Sequence, residues 1–211
     1  MADLRARLRT ATAPLHERVD AAFAGFGFDH PGGYRQFLRA HSRAIVSLEV
    51  ALEKAGIAQL LDDWPARIRR HALLADLKEL GSPAPVPLPA PELPNSASCW
   101  GAAYVLEGSR LGGQVVARRL HPFDPAAPTR YLEHGDVANL WPGFLARLEA
   151  TASLCAWPAL RSGAEAAFEL FIAAAALERG KASLKTEKAP EGLSTEPQQQ
   201  HIAYPADLTP Q

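Results

Sequence analysis

The chain has 211 residues, a length typical of one domain, and 47% of them are apolar, which is enough for a single large core. Its formal net charge is −1, so nothing in the composition favours nucleic acid or an anionic membrane as a partner. No run is long and apolar enough to span a bilayer, and the charged N-terminus does not resemble a signal peptide.

The N-terminal segment predicts an amphipathic helix with His16 at the edge of its apolar stripe. The stripe consists of Leu4, Leu8, Leu15, Val19 and Phe23. Arg9 precedes His16 by seven residues, so two helical turns would place both side chains on one face, about 10 Å apart. Pro14 leaves two alternatives, a kinked helix that spans it or a helix that begins with Thr12 as N-cap. An imidazole here could bind heme iron and Arg9 a carboxylate, whereas the alternatives are a surface or core histidine and a solvated arginine.

The next segments predict two helices and an extended connection. The first helix has an apolar stripe that ends before Gly56 and contains Phe37, His41, Ile45, Leu48 and Leu52. Asp63 is a plausible N-cap for a second helix, which we expect to continue through Leu80 and to end at Gly81. The proline-rich range 82–94 cannot form a regular helix and is expected to be extended.

Three further helices complete the prediction. One begins at Asn95 or Ser98 and continues to residue 119, and the others cover the ranges 137–154 and 162–185. No alternating pattern typical of strands is present. We therefore predict an all-α bundle of six or more helices in a domain of residues 1–185, followed by a polar and disordered tail of residues 186–211.

The helix that begins near residue 95 contains three interior glycines, Gly108, Gly112 and Gly113. Each costs about 1 kcal/mol relative to alanine in a helix, so their concentration requires a reason. Gly108 and Gly112 are one turn apart, and a flat ligand could lie directly against the backbone there. The alternative is close packing of helices through small residues.

Three segments of the chain resemble the heme oxygenase family. The range 12–18, TAPLHER, resembles the family's proximal-helix signature, and the range 104–114, YVLEGSRLGGQ, resembles its distal-helix signature. The range 74–81, LADLKELG, is similar to bacterial members, including those found beside bacterial phytochromes. The resemblance extends over about residues 4 to 180 and implies a multi-helix heme oxygenase-like bundle.

The resemblance implies roles for residues on both helices. His16 is implied as the axial ligand of the heme iron. Gly108, Gly112 and Gly113 are implied to form a kinked distal helix above the heme, where catalysis takes place. Ser109 occupies a position at which mammalian members have an aspartate that organises distal water. Serine is common there in bacterial members, so we expect a different water network and retained catalysis.

The resemblance also implies residues that hold the heme carboxylates. Arg9 is where the family often places a basic residue for a propionate, and Arg147 is a second candidate for such a contact. Tyr104 is one position away from a heme-contacting tyrosine of mammalian members, so we do not transfer that role to it.

The implied reaction uses heme as both substrate and cofactor and opens it with O2 to biliverdin, CO and iron. The chain has no flavin or nicotinamide fingerprint, so we expect an external reductase or ferredoxin to supply electrons. The bilin product could be delivered to a photoreceptor. Cys99 and Cys155 are interpreted as reduced, buried thiols, which fits a reducing compartment and predicts a cytoplasmic protein.

Two other functions remain open at the level of the sequence. A heme-binding protein without turnover would keep His16, and Ser109 is the feature that favours it. A helical interaction module would bind no heme. A di-iron oxygenase is excluded, because none of the seven histidines has a glutamate three residues before it.

Overall fold

The computed structural model describes residues 3–30, 32–151 and 155–186, with side chains through residue 180. The described residues form eight helices and no strand, as the sequence predicts. The helices are α1 Leu4–Ala24, α2 Gly33–Lys54, α3 Ile57–Leu60, α4 Trp64–Arg67, α5 Arg70–Glu79, α6 Ser96–Leu120, α7 Val137–Ala150 and α8 Trp157–Thr186. Among these described residues, no helix is long and apolar enough to cross a membrane.

Helix α8 is the centre of the bundle, because α1, α2 and α6 all pack on it. The α6–α8 contact is the most extensive, and glycines let the two backbones approach closely. A Cβ atom added to Gly101 would overlap the carbonyl oxygen of Leu160, and one added to Gly163 would overlap that of Ser98. This crossing therefore depends on the absence of two side chains.

Helix α1 is continuous through Pro14, so the alternative start at Thr12 is wrong. The side chain of Asp3 accepts a hydrogen bond from the Arg5 backbone N–H at 2.9 Å and caps the helix. Glu149 of α7 accepts the same N–H at 2.9 Å. Proline removes only one helical hydrogen bond, and burial of the apolar stripe on both sides of it outweighs that loss.

The single helix predicted from Asp63 to Leu80 is wrong, because it is broken between α4 and α5. Ile68 has extended backbone dihedrals. The fully buried carboxylate of Glu49 accepts the backbone N–H groups of Arg69 at 2.8 Å and Arg70 at 3.1 Å. A side chain on α2 thus satisfies the first donors of α5, a contact over 20 residues that local pattern does not predict.

The range 82–94 is extended, as predicted, and lies along α2. Leu88 donates its N–H to the Arg43 carbonyl at 3.1 Å and accepts the Ser47 hydroxyl at 2.5 Å. The predicted start of α6 is confirmed by a capping box in which the side chains of Asn95 and Ser98 satisfy each other's backbone N–H groups. The proline-rich connection is therefore fixed to α2 before α6 begins.

The bounds of the last two helices differ from the prediction. Helix α7 ends at Ala150 instead of residue 154, and α8 begins at Trp157, five residues before the predicted Ser162. Pro158 is tolerated because the first turn of a helix has no partner for its N–H group.

The tail was predicted for residues 186–211. Beyond residue 186 it lies outside the described residues. Cys99 and Cys155 are both free, but Cys155 is only half-buried, so the prediction that both are buried is wrong for it.

Candidate functional site

Helices α1 and α8 run in the same direction. Near the start of both, the guanidinium of Arg7 lies 4.1 Å above the ring of Trp157. Further along, the rings of His16 and Phe168 meet edge to face with centroids 6.0 Å apart. His16 therefore lies on the side of α8 at the height of Phe168.

The rise along α6 and α8 leads us to expect Gly108 near the height of Phe168 on α8. Gly101 lies against Leu160, and seven residues further along α6 correspond to about 10 Å, close to the distance from Leu160 to Phe168 along α8. Direct packing between α1 and α6 is sparse in the described part of the chain. We call the space between them, with His16 on one side and Gly108 on the other, the cleft.

A carboxylate of the next turn of α1 orients the imidazole of His16. Its Nδ1 lies 3.2 Å from Oδ2 of Asp20, and the His16 side chain is 42% exposed. A carboxylate at Nδ1 favours the tautomer whose lone pair is on Nε2, which is the usual arrangement of a metal-binding histidine. The sequence analysis missed Asp20, although its spacing of four residues from His16 could have indicated it.

The three glycines of α6 have different surroundings. A Cβ atom on Gly108 would lie 3.6 Å from the indole of Trp141, in ordinary contact, so this position faces α7. A Cβ atom on Gly113 would lie 2.9 Å from the carbonyl oxygen of Leu132, so Gly113 permits close packing of a loop. Gly112 is buried. Close packing therefore explains Gly113, and the explanation by a flat ligand against the backbone at Gly108 and Gly112 stays a prediction.

The hydroxyl of Ser109 is held between two polar groups. It donates to the Leu106 carbonyl at 2.7 Å and accepts from Nη2 of Arg69 at 2.7 Å. The same Nη2 also donates to the Leu106 carbonyl at 2.7 Å. Ser109 thus places a buried cation directly beside the glycine-bearing stretch of α6.

Arg9 is exposed on α1, and Tyr104 of α6 lies close enough to it for their charges to interact. Burial raises the pKa of Tyr104, whereas the positive charges of Arg5 and Arg9 lower it. The phenol therefore lies within electrostatic reach of the two guanidinium groups. The sequence analysis assigned no role to Tyr104 or Arg5.

Arg147 has carboxylate partners on the connection between α3 and α4. Its Nη1 lies 2.6 Å from Asp62 and 3.0 Å from Asp63. Asp63 also binds Arg67, whose hydrogen bonds are the main cause of its lowered pKa. Asp63 is at the predicted N-cap position, but its side chain makes these bonds and does not cap α4. A propionate would have to compete for Arg147, whose implied role stays a prediction.

No known protein-family profile matches the chain. A curated relative, the heme oxygenase of Xanthomonas campestris pv. campestris strain 8004, is 38% identical to it over 119 residues. The match covers 55% of this chain and 72% of the relative. The chain belongs to the heme oxygenase family. This membership confirms the family that the motifs at His16 and Gly108 predict.

A crystal structure of heme oxygenase from Neisseria meningitidis, determined with bound NO and CO, has the same fold. The TM-score is 0.71, and the alignment covers 85% of this chain and 94% of that one at 20% sequence identity. The all-α heme oxygenase-like bundle is thereby confirmed as the fold.

A buried polar cluster beside α6 was not predicted from the sequence. The Arg69 guanidinium lies 5.3 Å above the ring of Tyr131, whose hydroxyl is 2.6 Å from Nδ1 of His41. Among the described residues, the buried Nε of Arg69 and Nε2 of His41 have no hydrogen-bond partner. These groups come from α2, the residue before α5 and the loop before α7, so no local pattern unites them.

The surroundings of His41 predict a specific pH dependence of stability. Burial lowers its pKa to about 3 in the folded state, and Arg69 adds to this, from an ordinary value of 6.5. Between these values the unfolded chain binds a proton that the folded chain does not, so stability is lost as the pH falls through this window. We expect His41→Gln to reduce the slope of the unfolding free energy against pH by up to about 1.4 kcal/mol per pH unit.

Denaturant unfolding at about pH 7, 6 and 5 measures this dependence. The exposed His30 provides the control, since His30→Gln should leave the slope of stability against pH unchanged. Equal slopes for His41→Gln and the unaltered chain would show that folding does not lower the pKa of His41.

Two surface cavities of the molecule lie away from the cleft. One of about 360 Å³ is lined by Phe28, Leu80 and Phe123, and another of about 660 Å³ by Gln114, Arg118 and neighbouring residues. Both surround the C-terminal end of α6, and neither includes His16 or Gly108. Within the described ranges, no group of three or more histidine, cysteine or acidic side chains could hold a metal ion.

Proposed function

We propose that the chain binds heme in the cleft and, with O2 and electrons from an external donor, opens it to biliverdin, CO and iron. Membership of the heme oxygenase family supports this activity. The observation that carries the assignment to the cleft is the His16–Asp20 pair at the height of Gly108. An imidazole that could bind iron on one side and a backbone without a side chain on the other would suit a flat ring between them.

The chemistry of the donor set fits heme. Heme would supply the iron at which O2 is activated. His16 would bind that iron through Nε2, and Asp20 would fix the tautomer and the orientation of the imidazole. Arg9, with Arg5 and the Tyr104 phenol beside it, would bind carboxylates at the end of the cleft.

The distal side would act through backbone and fixed polar groups. Gly108 and Gly112 would let the ring approach the backbone of α6, whereas Gly113 supports the packing of the helix. Ser109 would hold the Arg69 cation beside the reacting side, and Nε of Arg69 would be a donor for a water molecule. With a pKa of about 3, His41 is neutral near pH 7 and would pass a hydrogen bond rather than a positive charge.

We propose three further properties that the geometry does not address directly. The electrons come from a separate reductase or ferredoxin, since the chain carries no flavin or nicotinamide fingerprint. The protein is cytoplasmic, which two free cysteines support. The bilin leaves the enzyme and can serve a photoreceptor.

A hemin titration followed by reduction under O2 tests this proposal. We expect a sharp Soret band that saturates at one hemin per chain, and then its loss with the appearance of a bilin spectrum when ascorbate is added in air. A Soret band without a bilin would indicate a heme-binding protein without turnover. Absorbance like that of free hemin would leave the helical interaction module as the remaining function.

A further inference from the structure

We propose that Trp141 of α7 is the side wall of the cleft and determines which edge of the ring is cleaved; this rests on the proposed function. Its indole lies 3.6 Å from the position of a Cβ on Gly108, and 5.8 Å from the Tyr104 ring between centroids. Trp141 is half-buried, so part of its surface remains open beside the cleft. It therefore borders the two positions of α6 that line the cleft.

The indole has little freedom to move. It stacks on Phe144 at an interplanar angle of 11° and a centroid distance of 5.8 Å, and Phe144 is completely buried against Trp100. The ring of Tyr104 also contacts the indole, at an interplanar angle of 47°. Aromatic contacts of this kind contribute packing energy and fix ring orientation.

A buried ion pair fixes the backbone of Trp141 relative to Gly108. The carbonyl of Leu140 accepts Nη1 of Arg67 at 3.1 Å, and the same Nη1 lies 2.5 Å from the carboxylate of Glu107. Leu140 immediately precedes Trp141 and Glu107 immediately precedes Gly108. One buried guanidinium thus joins the two positions, and breaking such a buried pair is costly.

These contacts have a consequence for a flat ring in the cleft. A ring bound at one axial point by His16 can turn about that axis, because a single metal–nitrogen bond does not fix rotation. The carboxylate contacts proposed at Arg9 and Tyr104 would restrict this turning from one end. A rigid indole beside Gly108 excludes orientations in which the ring would overlap it. Trp141 would thereby select one bridging carbon for oxidation.

Substitution of Trp141 and of a matched tryptophan tests this role. We expect Trp141→Ala to change the ratio of bilin isomers about tenfold, equivalent to about 1.4 kcal/mol, with a smaller change in Trp141→Phe. Trp157 is also half-buried, but its ring packs under Arg7, where α1 meets α8. Trp157→Phe should therefore change the isomer ratio by no more than about twofold.

Chromatography of the bilins gives the isomer ratio. Proton NMR of the cyanide complex of the hemin-loaded chain gives the ring orientations independently of turnover. An unchanged ratio and an unchanged NMR spectrum in folded Trp141→Ala would overturn the inference, as would an equal change in Trp157→Phe. If Trp141→Ala does not fold, the same two measurements on Trp141→Phe decide. Absence of hemin binding by the unaltered chain would overturn the proposed function, and this inference with it.

Discussion

His16→Ala is expected to lower heme turnover by more than about 100-fold while hemin remains bound with an altered spectrum. The substitution removes the imidazole nitrogen, but the rest of the cleft and the cationic groups near Tyr104 remain to bind the ring and its carboxylates. Added imidazole should restore part of the turnover, because it can occupy the space left by the side chain. Visible spectra and bilin production measure both effects.

Two further variants control this experiment. His30 is an exposed histidine on the loop after α1, and His30→Ala should leave spectrum and turnover unchanged. Asp20→Asn should give an intermediate loss of about 10-fold, since it weakens the orientation of the imidazole without removing it. Normal turnover in His16→Ala without imidazole would show that another group binds the iron.

Gly101→Ala is expected to cause the largest loss of stability among glycine substitutions of α6. The added Cβ would overlap the Leu160 carbonyl and lie 2.8 Å from the Ala164 nitrogen, and helix backbone cannot rotate away as a side chain can. Overpacking of this kind costs up to about 3 kcal/mol or more, and the helix-propensity gain of about 1 kcal/mol does not offset it. We expect Tm to fall by about 4–8 °C.

Gly143 provides the matched control. It is an interior glycine of α7, and a Cβ atom added there would meet nothing within 4 Å. Gly143→Ala should therefore stabilise the fold by about 0.5–1 kcal/mol. Gly163→Ala should reproduce the loss from the opposite helix, because its Cβ would overlap the Ser98 carbonyl. A Tm of Gly101→Ala equal to that of the unaltered chain would mean that α6 and α8 are further apart than described.

The cleft was only partly predictable from the sequence. His16 and Gly108 stand in short segments whose residue types and order resemble a family, and the structure packs His16 against Phe168 of α8 and Gly108 against Trp141 of α7. Tyr104 and Trp141 are 37 positions apart, and their contact depends on how α7 crosses α6. Spacing along one helix contains no information about such a crossing.

The same distinction separates the confirmed helices from the broken one. Capping at Asn95 and Ser98 uses groups three residues apart, so the start of α6 was predicted correctly. The break before α5 depends on Glu49, 20 residues away, whose carboxylate satisfies the backbone of Arg69. Periodicity in the range 64–80 predicts a continuous helix because it indicates only which face is apolar. It does not indicate which backbone N–H groups bond to a distant side chain.

The sequence by itself determined the helical class, most helix positions, the extended proline-rich connection and the two segments that contain His16 and Gly108. These features depend on hydrogen bonds and apolar spacing within about one or two turns, which the order of residues specifies directly. The tertiary structure alone decided which glycine permits a helix crossing, which carboxylate holds Arg147, and which buried groups surround Arg69. Those contacts join residues far apart in the chain, and they exist only once the packing of whole helices on α8 has fixed the distances between them.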